Sequence, residues 1–313
     1  MDTRPIGVFD SGLGGLTAVR QLRRVLPGED IIYFGDTGRV PYGSRGRQTI
    51  LQYTRQDIRF LLSQDVKFLM AACGTVSSTY PTAEAARLPV PYTGVVGAAA
   101  RMAAQATRTG RIGVIGTAAT IRSGSYAAAL QALAPGVTIV AKACPLFVPL
   151  VENGRVEPGD PITTPAIELY LREVRDAGVD TLILGCTHYP LLKRMIGDYM
   201  GPGVRLIDPG KVTAVETAAA LADLGLLNGR DAGGTAPRAQ TRTGTSRGAA
   251  AVTAGPAATP PPGEPTSRPR GGGTRRPPRR GPAPRSPARG TESRGAVSGR
   301  PHRRSSPRAR RGT

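Results

Sequence analysis

Short apolar segments rich in Val, Ile and Leu alternate along the chain with longer segments of helical periodicity. This alternation is typical of a parallel β-sheet covered by helices, because strands buried on both faces are continuous apolar runs. The pattern predicts strands at residues 6–9, 30–34, 68–72, 92–94, 112–115, 138–142, 181–184 and 204–207. It predicts helices at residues 15–26, 46–63, 75–86, 95–107, 121–133, 161–176, 191–199 and 211–224. The predicted fold class is α/β.

A weak internal repeat divides this pattern into two halves. The segment IGVFDS, which begins at Ile6, resembles IGVIGT, which begins at Ile112, and roughly 60 to 75 residues after each lies a strand that ends on a cysteine. The repeat predicts two pseudo-symmetric parallel-sheet domains with an active site in the cleft between them. We place the first domain at residues 1–95 and 207–230 and the second at 96–206.

The last 83 residues, 231–313, differ in composition from the rest of the chain. They hold 18 Arg, no Lys and three acidic residues, and so carry a net +15 of the chain's +20. They also contain 14 Pro and no Leu, Ile, Phe, Met, Tyr or Trp. With so little apolar surface to bury, this tail is predicted to be disordered. The sequence pI of 11.1 therefore describes the tail and does not indicate a nucleic-acid-binding fold.

The cysteine and histidine contents exclude several classes of protein. Cys73, Cys144 and Cys186 are too few for a disulfide framework, and no charged and then apolar leader precedes them. No apolar run approaches the ~18 residues of a membrane-spanning helix. His188 is the one histidine of the first 230 residues, so the usual zinc spacings are not present. We therefore predict a cytoplasmic protein with no metal site and no membrane association.

Residues able to carry chemistry stand at the ends of predicted strands. In parallel sheets the ligand crevice lies beyond the carboxyl ends of the strands, so these residues are expected to form one site. They are Asp10, Ser11, Cys73, Thr75, Thr117, Cys186, Thr187 and His188.

Two cysteines at matched positions indicate proton transfer. A lone cysteine there is usually a small buried hydrophobe, and one reactive thiol suggests a nucleophile. Two thiols that face each other across a cleft can remove a proton from one face of a carbon and deliver one to the other, which inverts a stereocentre. Free cysteine has a pKa near 8.5, so a modest shift supplies the thiolate. His188 is placed to assist Cys186, and Asp10 to support Cys73.

The segment DSGLGGLT, from Asp10 to Thr17, is a glycine-rich turn between a strand and a helix. Backbone N–H groups in such turns can bind anions. The segment matches neither a P-loop nor, because Thr17 replaces a small residue, the dinucleotide fingerprint. A carboxylate ligand is therefore favoured over a pyrophosphate. The alternative is a tight turn with no ligand; Asp10 argues against it, because a buried carboxylate needs a partner such as an ammonium group.

Three further features of the sequence bear on this site. The VPYG segment at residues 40–43 is a turn by composition, either a plain surface turn or a place where the Tyr42 and Gly43 N–H groups hold a carboxylate. Glu152 either tunes a neighbouring thiol or histidine or begins a helix. Cys144 has no polar companion in the sequence and is predicted to pack in the core.

Together these motifs resemble the aspartate/glutamate racemase superfamily, and within it the glutamate racemases. The resemblance covers about residues 5–225 and rests on several motifs in the same order: GVFDSGLGG from Gly7, GDT from Gly35, PYG from Pro41, the strand end at Cys73, ACPLF from Ala143 and GCTHYP from Gly185. It implies cofactor-independent interconversion of L- and D-glutamate for peptidoglycan synthesis, with glutamate as the small-molecule partner, and a homodimer.

The resemblance also implies a role for each matched residue. Cys73 would act on the D isomer and Cys186 on the L isomer, assisted by Asp10, Glu152 and His188. The substrate's carboxylates and ammonium group would be held by Asp10, Ser11, Pro41, Tyr42, Gly43, Gly74, Thr75, Thr117, Thr120 and Thr187.

The chain departs from the family pattern in three places. Gly74 stands where the family has Asn, and losing such a hydrogen bond to a charged group costs about 1.5–3 kcal/mol. Ala119 precedes Thr120 where the family has Gly. After the helix at 211–224 the family continues with another strand and helix, whereas this chain continues with Pro, Arg, Gly and Ala. We hypothesise that the native end has been replaced, for example by a reading-frame shift in GC-rich coding DNA.

Two alternative functions remain at this level. Within the superfamily the substrate can be aspartate or another acid with an exchangeable α-proton. A different class of function is a catalytically impaired racemase fold that binds nucleic acid or another polyanion through the arginine-rich tail. Arginines without aromatic interleaving predict sequence-independent, salt-dependent contacts with phosphates.

Overall fold

The computed structural model describes residues 1–230, 239–243 and 250–253. Its first lobe is built on four parallel strands in the order β2-β1-β3-β4. These strands are β1 (Ile6–Asp10), β2 (Ile31–Gly35), β3 (Phe68–Ala71) and β4 (Tyr92–Gly94). The helices that connect them are α1 (Leu16–Val25), α2 (Arg47–Leu62), α3 (Gly74–Thr79) and α4 (Thr82–Ala85).

The second lobe repeats this arrangement with four parallel strands in the order β6-β5-β7-β8. They are β5 (Arg111–Gly116), β6 (Thr138–Ala143), β7 (Thr181–Leu184) and β8 (Arg205–Ile207). The helices from β4 onward are α5 (Val95–Ala106), α6 (Ala118–Ser123), α7 (Ser125–Leu133), α8 (Phe147–Glu152), α9 (Thr163–Asp176), α10 (Lys193–Met200) and α11 (Pro209–Asp223). The α/β architecture of two parallel sheets is confirmed.

Each sheet is buried on both faces, which explains its continuous apolar strands. In β1, Ile6 and Val8 face the core formed with α1 and α11, whereas Phe9 faces the core formed with α2. In the second lobe, α9 and α10 cover one face of the sheet, and α5 and α7 cover the other. This two-sided cover follows from the alternation of side chains along a strand. Within the described part of the chain, no helix has both the length and the apolar character needed to cross a bilayer.

Two predicted helices are interrupted, and one helix was not predicted. The helix predicted at 75–86 is divided into α3 and α4 before Pro81, because proline disfavours helical backbone at the preceding residue. The helix predicted at 121–133 begins earlier and is divided at Gly124, which has φ +67°. The short helix α8 contains Pro149 and has no helical repeat long enough to be recognised.

Two segments of the region predicted to be disordered form strands. β9 (Ala239–Thr243) pairs in parallel with β2, and β10 (Ala250–Thr253) pairs antiparallel with β9. Backbone pairing along an otherwise open sheet edge needs no large apolar side chains, which is why composition does not reveal it. The other residues of the predicted tail lie outside the described residues.

Candidate active site

A cavity of about 300 Å³ lies between the carboxyl ends of the two sheets. Its wall takes a residue from the end of each of five strands: Ser11 after β1, Cys73 after β3, Thr117 after β5, Cys144 after β6 and Cys186 after β7. Parallel strands all end at the same edge of their sheet, so two sheets that meet end to end gather these side chains. No group of three His, Cys, Asp or Glu side chains within the described ranges is arranged to hold a metal ion.

Most of the predicted site residues line this cavity. They are Ser11, Pro41, Tyr42, Gly43, Cys73, Gly74, Thr75, Thr117, Glu152, Cys186, Thr187 and His188. Asp10 and Thr120 are fully buried residues that stand behind this wall. They act on the cavity through the side chains that they contact.

Cys73 lies two residues after the end of β3 and is 5% exposed. Its Sγ lies 3.5 Å from Ser11 Oγ, which donates or accepts according to the state of the thiol. Burial, together with the nearby Asp10 carboxylate, raises the pKa of the Cys73 thiol to about 12. At neutral pH Cys73 is therefore a thiol, the form that delivers a proton.

The glycine-rich turn after β1 binds the carboxylate of Asp10. Asp10 Oδ2 accepts hydrogen bonds from the N–H groups of Gly12 at 3.2 Å and Gly15 at 3.0 Å. Thr187 Oγ1, from the second lobe, lies 3.5 Å from Asp10 Oδ1. A Cβ atom at Gly15 would lie 2.6 Å from Asp10 Cβ, so only glycine permits this turn. The hydrogen-bond partners of the Asp10 carboxylate are therefore two backbone N–H groups and the Thr187 hydroxyl.

Cys186 is the first of three polar side chains in contact with one another. Cys186 and His188 follow β7, and Glu152 is the last residue of α8. Cys186 Sγ lies 3.7 Å from His188 Nδ1, and His188 Nε2 lies 3.1 Å from Glu152 Oε1. A carboxylate accepts from Nε2–H, which leaves Nδ1 as an acceptor facing the thiol. Burial raises the pKa of Cys186 well above its usual range. Because Nδ1 is an acceptor that contacts Sγ, the imidazole can take the thiol proton when Cys186 has to act as a base.

Three threonine hydroxyls connect the lobes beside the cavity. Thr75 Oγ1, from the first lobe, lies 2.9 Å from Thr117 Oγ1 of the second. Thr120 Oγ1 lies 3.0 Å from Thr117 Oγ1 and 3.5 Å from Thr75 Oγ1. Thr117 also caps α6 by accepting from the Thr120 N–H group at 3.3 Å. Thr75 and Thr117 can donate to a ligand, and Thr120 orients them.

Tyr42 contributes to the wall of the cavity although its phenol group points away from it. The residue is fully buried, and its hydroxyl bonds to the carboxylates of Asp36 and Asp57. Gly43 packs directly on the second lobe: a Cβ at Gly43 would lie 2.7 Å from Thr117 Cβ. The Gly43 carbonyl also accepts from the Ala119 N–H group at 3.0 Å. Backbone groups, not the phenol, are therefore what Tyr42 offers to a ligand.

Sequence reasoning missed part of the cavity wall. Cys144, predicted to be a core residue, is buried and also lines the cavity, as do the apolar residues Val40, Pro145, Val148 and Pro149. Cys144 directly follows β6, so the rule that identified the other strand-end residues applies to it as well. The apolar residues carry no such signal.

Gly74 occupies a position without room for a side chain. A Cβ atom there would lie 2.1 Å from the Gly185 carbonyl oxygen of the second lobe. Gly74 therefore lets the two cysteine-bearing strand ends approach closely. Any side chain at position 74 has to separate them.

Replacing Gly74 with alanine tests this contact. Because backbone atoms of both lobes would have to shift, we expect Gly74→Ala to lower kcat/KM by about tenfold, equivalent to the 1–3 kcal/mol typical of overpacking. Gly46→Ala is the matched control, because a Cβ at Gly46 meets no atom within 4 Å. Equal turnover of both variants and the wild-type chain would contradict the close approach of the lobes.

The family and its relatives were identified by comparison with known proteins. Residues 16–217 match the family model described as Asp/Glu/Hydantoin racemase. The chain is 47% identical over 214 residues to glutamate racemase of Geobacter metallireducens, covering 68% of this chain and 78% of that protein. It is 48% identical over 217 residues to glutamate racemase of Syntrophus aciditrophicus, covering 69% and 80%.

Solved structures show the same likeness. Glutamate racemase isoform RacE1 of Bacillus anthracis aligns with a TM-score of 0.73 and 36% identity, covering 78% of this chain and 89% of that one. Glutamate racemase of Francisella tularensis in complex with D-glutamate aligns with a TM-score of 0.71 and 37% identity over the same shares of the two chains. The family match spans well over half of the 313 residues. The chain belongs to the Asp/Glu/Hydantoin racemase family.

Proposed function

We propose that this chain is a glutamate racemase in which Cys73 and Cys186 are the two bases. The observation that carries the proposal is the placement of one thiol from each lobe on the wall of one cavity, each with its own polar partner. A cavity of about 300 Å³ is large enough for a small amino acid. The similarity to enzymes named glutamate racemase supports the choice of glutamate.

Inversion of L-glutamate begins at Cys186. Its proton passes to His188 Nδ1, and the resulting thiolate takes the α-proton, so that the electrons of the C–H bond stay on Cα and spread into the carboxylate. The Cys73 thiol then gives its proton to the opposite face of Cα, and the D isomer forms. The reverse reaction retraces these steps: the Cys73 thiolate takes the α-proton of D-glutamate, the Cys186 thiol gives its proton to the opposite face, and His188 returns its proton to Cys186. Asp10, behind the wall, acts on Cys73 through its charge. No external oxidant or reductant is needed.

Hydroxyl and backbone donors stabilise the charge that develops on the substrate. Ser11, Thr75, Thr117 and Thr187 line the cavity, together with the backbone at residues 41–43. Donors fixed before the reaction stabilise an enediolate-like carboxylate without reorganisation, which is an efficient form of catalysis. The substrate's ammonium group also favours the thiolate that faces it.

We propose that the enzyme serves peptidoglycan synthesis in the cytoplasm. We further propose that it is a homodimer and that each chain has domain boundaries near residues 95 and 207. All three cysteines are free, which is the state that the proposed chemistry requires. Light scattering of the purified chain tests the dimer: a protomer mass at working concentrations would contradict it. Nothing in the similarity favours an impaired fold that serves as a polyanion-binding protein.

The direct test is turnover of the full chain under reducing conditions. We expect L-glutamate to lose its optical activity and to yield D-glutamate, with kcat/KM for glutamate exceeding that for aspartate by about tenfold or more, as expected for one methylene group in a fitted site. The measurement is circular dichroism of the amino acid with a D-specific assay of the product. Absence of D-glutamate, or a preference for aspartate, would contradict the proposal.

A further inference from the structure

A buried polar network lies behind the loop at residues 40–43. Asp36 and Asp57, both fully buried, are bonded to the Tyr42 hydroxyl through their Oδ2 atoms, Asp57 at 2.9 Å. Arg39 Nε donates to Asp36 Oδ2 at 2.5 Å, and Arg39 Nη2 donates to Asp57 Oδ1 at 2.9 Å. None of these four side chains belongs to the proposed proton-transfer chemistry.

The network has fewer donor protons than its contacts require. Two carboxylates beside one guanidinium would leave a net negative charge in a buried site, which is costly. The Tyr42 hydroxyl has one proton and so can donate to only one of the two carboxyl oxygens that it contacts. The other contact needs a proton of its own. Asp36 Oδ1 is also buried and has no hydrogen-bond partner among the described residues, so Asp36 as well as Asp57 has more acceptor atoms than there are donors to bond to them.

Geometry assigns the additional proton to Asp57. Asp36 Oδ2 receives two donors, Arg39 Nε and the Tyr42 hydroxyl, which is the arrangement of an ionised acceptor. Among the described residues, Asp57 Oδ2 has one hydrogen-bond partner, the Tyr42 oxygen. A protonated Asp57 therefore donates to Tyr42, and Tyr42 donates to Asp36, so that every contact has one proton.

We propose that Asp57 is a positioning residue whose protonated carboxyl group holds Tyr42, and with it the loop at residues 40–43, in place against the cavity. Tyr42 and Gly43 line the cavity, whereas the two acids bonded to the Tyr42 hydroxyl do not, so the side-chain anchor of Tyr42 sets where the backbone of this loop lies. The loop has a second anchor in the hydrogen bond from Ala119 to Gly43. The inference rests on the proposed function in one respect, that these backbone groups bind a substrate carboxylate.

The electrostatics of the network agree with this assignment. Burial first, and then the Asp36 carboxylate, raise the pKa of Asp57 to about 8, against the lowering effects of Tyr42 and Arg39. The charge of Asp10 on β1 raises the pKa of Asp57 further. The acid form is thus present below pH 8 and is lost as the pH rises through that value. Loss of the proton breaks the contact with Tyr42, so KM is expected to rise above about pH 8.

Two substitutions of Asp57 separate positioning from general structural damage. Asp57→Asn keeps a donor toward Tyr42 and an acceptor toward Arg39, so we expect KM for glutamate within about twofold of wild type and no rise above pH 8. Asp57→Ala removes the donor, and we expect KM to rise about tenfold, the effect of one lost hydrogen bond, while kcat changes by less than about threefold. Tyr53→Phe is the control, because its ring packs on Tyr42 but neither carboxylate bonds to its hydroxyl in the described structure.

An infrared measurement tests the protonation without turnover. The wild-type chain at pH 7 is expected to show the carbonyl stretch of a protonated carboxyl group that disappears in Asp57→Asn. Absence of that band, wild-type KM in Asp57→Ala, or an unchanged rise of KM above pH 8 in Asp57→Asn would each overturn the inference. A wild-type chain that shows the band but does not racemise glutamate would contradict the proposed function and leave the protonation of Asp57 supported.

Discussion

Replacing either Cys73 or Cys186 with alanine is expected to lower kcat for glutamate racemisation by about 10³- to 10⁴-fold, the upper range for a positioned acid or base. Each variant retains one thiol and so can act on only one face of Cα. The two losses should not add in the double variant, because inversion needs both thiols in the same turnover. Initial rates in both directions, measured by circular dichroism, check this prediction.

Cys144→Ala is the matched control for these variants. Cys144 is a third buried thiol on the same wall, and its Sγ lies 3.8 Å from the Lys142 carbonyl oxygen. Within the part of the chain that the structure describes, no imidazole or hydroxyl bonds to this thiol as His188 and Ser11 do to the other two. We expect its removal to change kcat by less than about tenfold, the effect of a small loss of packing. Full turnover in the Cys73 or Cys186 variant, or a loss confined to Cys144→Ala, would exclude the assignment of the two bases.

His188→Asn is expected to lower kcat by about 10²- to 10³-fold, because it removes the acceptor that faces Cys186. Enantiomers have equal free energies, so the two values of kcat/KM must fall equally. The asymmetry should appear in hydrogen exchange. Cys73 can still take the α-proton of D-glutamate, whereas delivery at the Cys186 face is slow. Because this slow delivery gives the hydrogen held by Cys73 time to exchange before it is returned, D-glutamate should exchange its α-hydrogen with solvent faster than it forms L-glutamate.

Nuclear magnetic resonance in deuterated water measures this exchange directly. Glu152→Gln gives a graded comparison: it weakens the partner of His188 Nε2 but leaves the Nδ1 contact, so the effect should have the same direction and be smaller. Glu152 is half exposed, which also limits the strength of its bond. Equal rates of exchange and inversion for D-glutamate in His188→Asn would show that the imidazole does not serve Cys186.

The fold and the centre of the site follow from simple periodic rules. Buried parallel strands are continuous apolar runs, and the residue after each strand lies at the ligand edge of the sheet. Cys73, Thr117 and Cys186 were placed by that rule alone. Their matched positions in two similar halves also predict that they share one cleft. These features depend on sequence neighbours, which is why they can be inferred without coordinates.

The parts that could not be predicted depend on contacts between distant segments. The glycine-rich turn is predicted to bind a carboxylate ligand, and two of its N–H groups also donate to Asp10, a contact that the sequence does not reveal. The contact of Gly74 with Gly185 and the anchoring of Tyr42 by Asp57 join segments whose separation no local pattern encodes. The apolar side of the cavity was missed for the same reason, since a valine or proline has the same appearance in a core and in a pocket.

Racemisation of a single enantiomer in deuterated water tests the two-thiol account most directly. With L-glutamate, the D-glutamate formed first should carry solvent deuterium at Cα, because its new hydrogen comes from the Cys73 thiol, which exchanges with solvent. The remaining L-glutamate should keep its original hydrogen at early times, because only Cys186 acts on that face. Product that retains the original α-hydrogen, or deuterium that enters both isomers at the same initial rate, would show that one base serves both faces and would contradict the account.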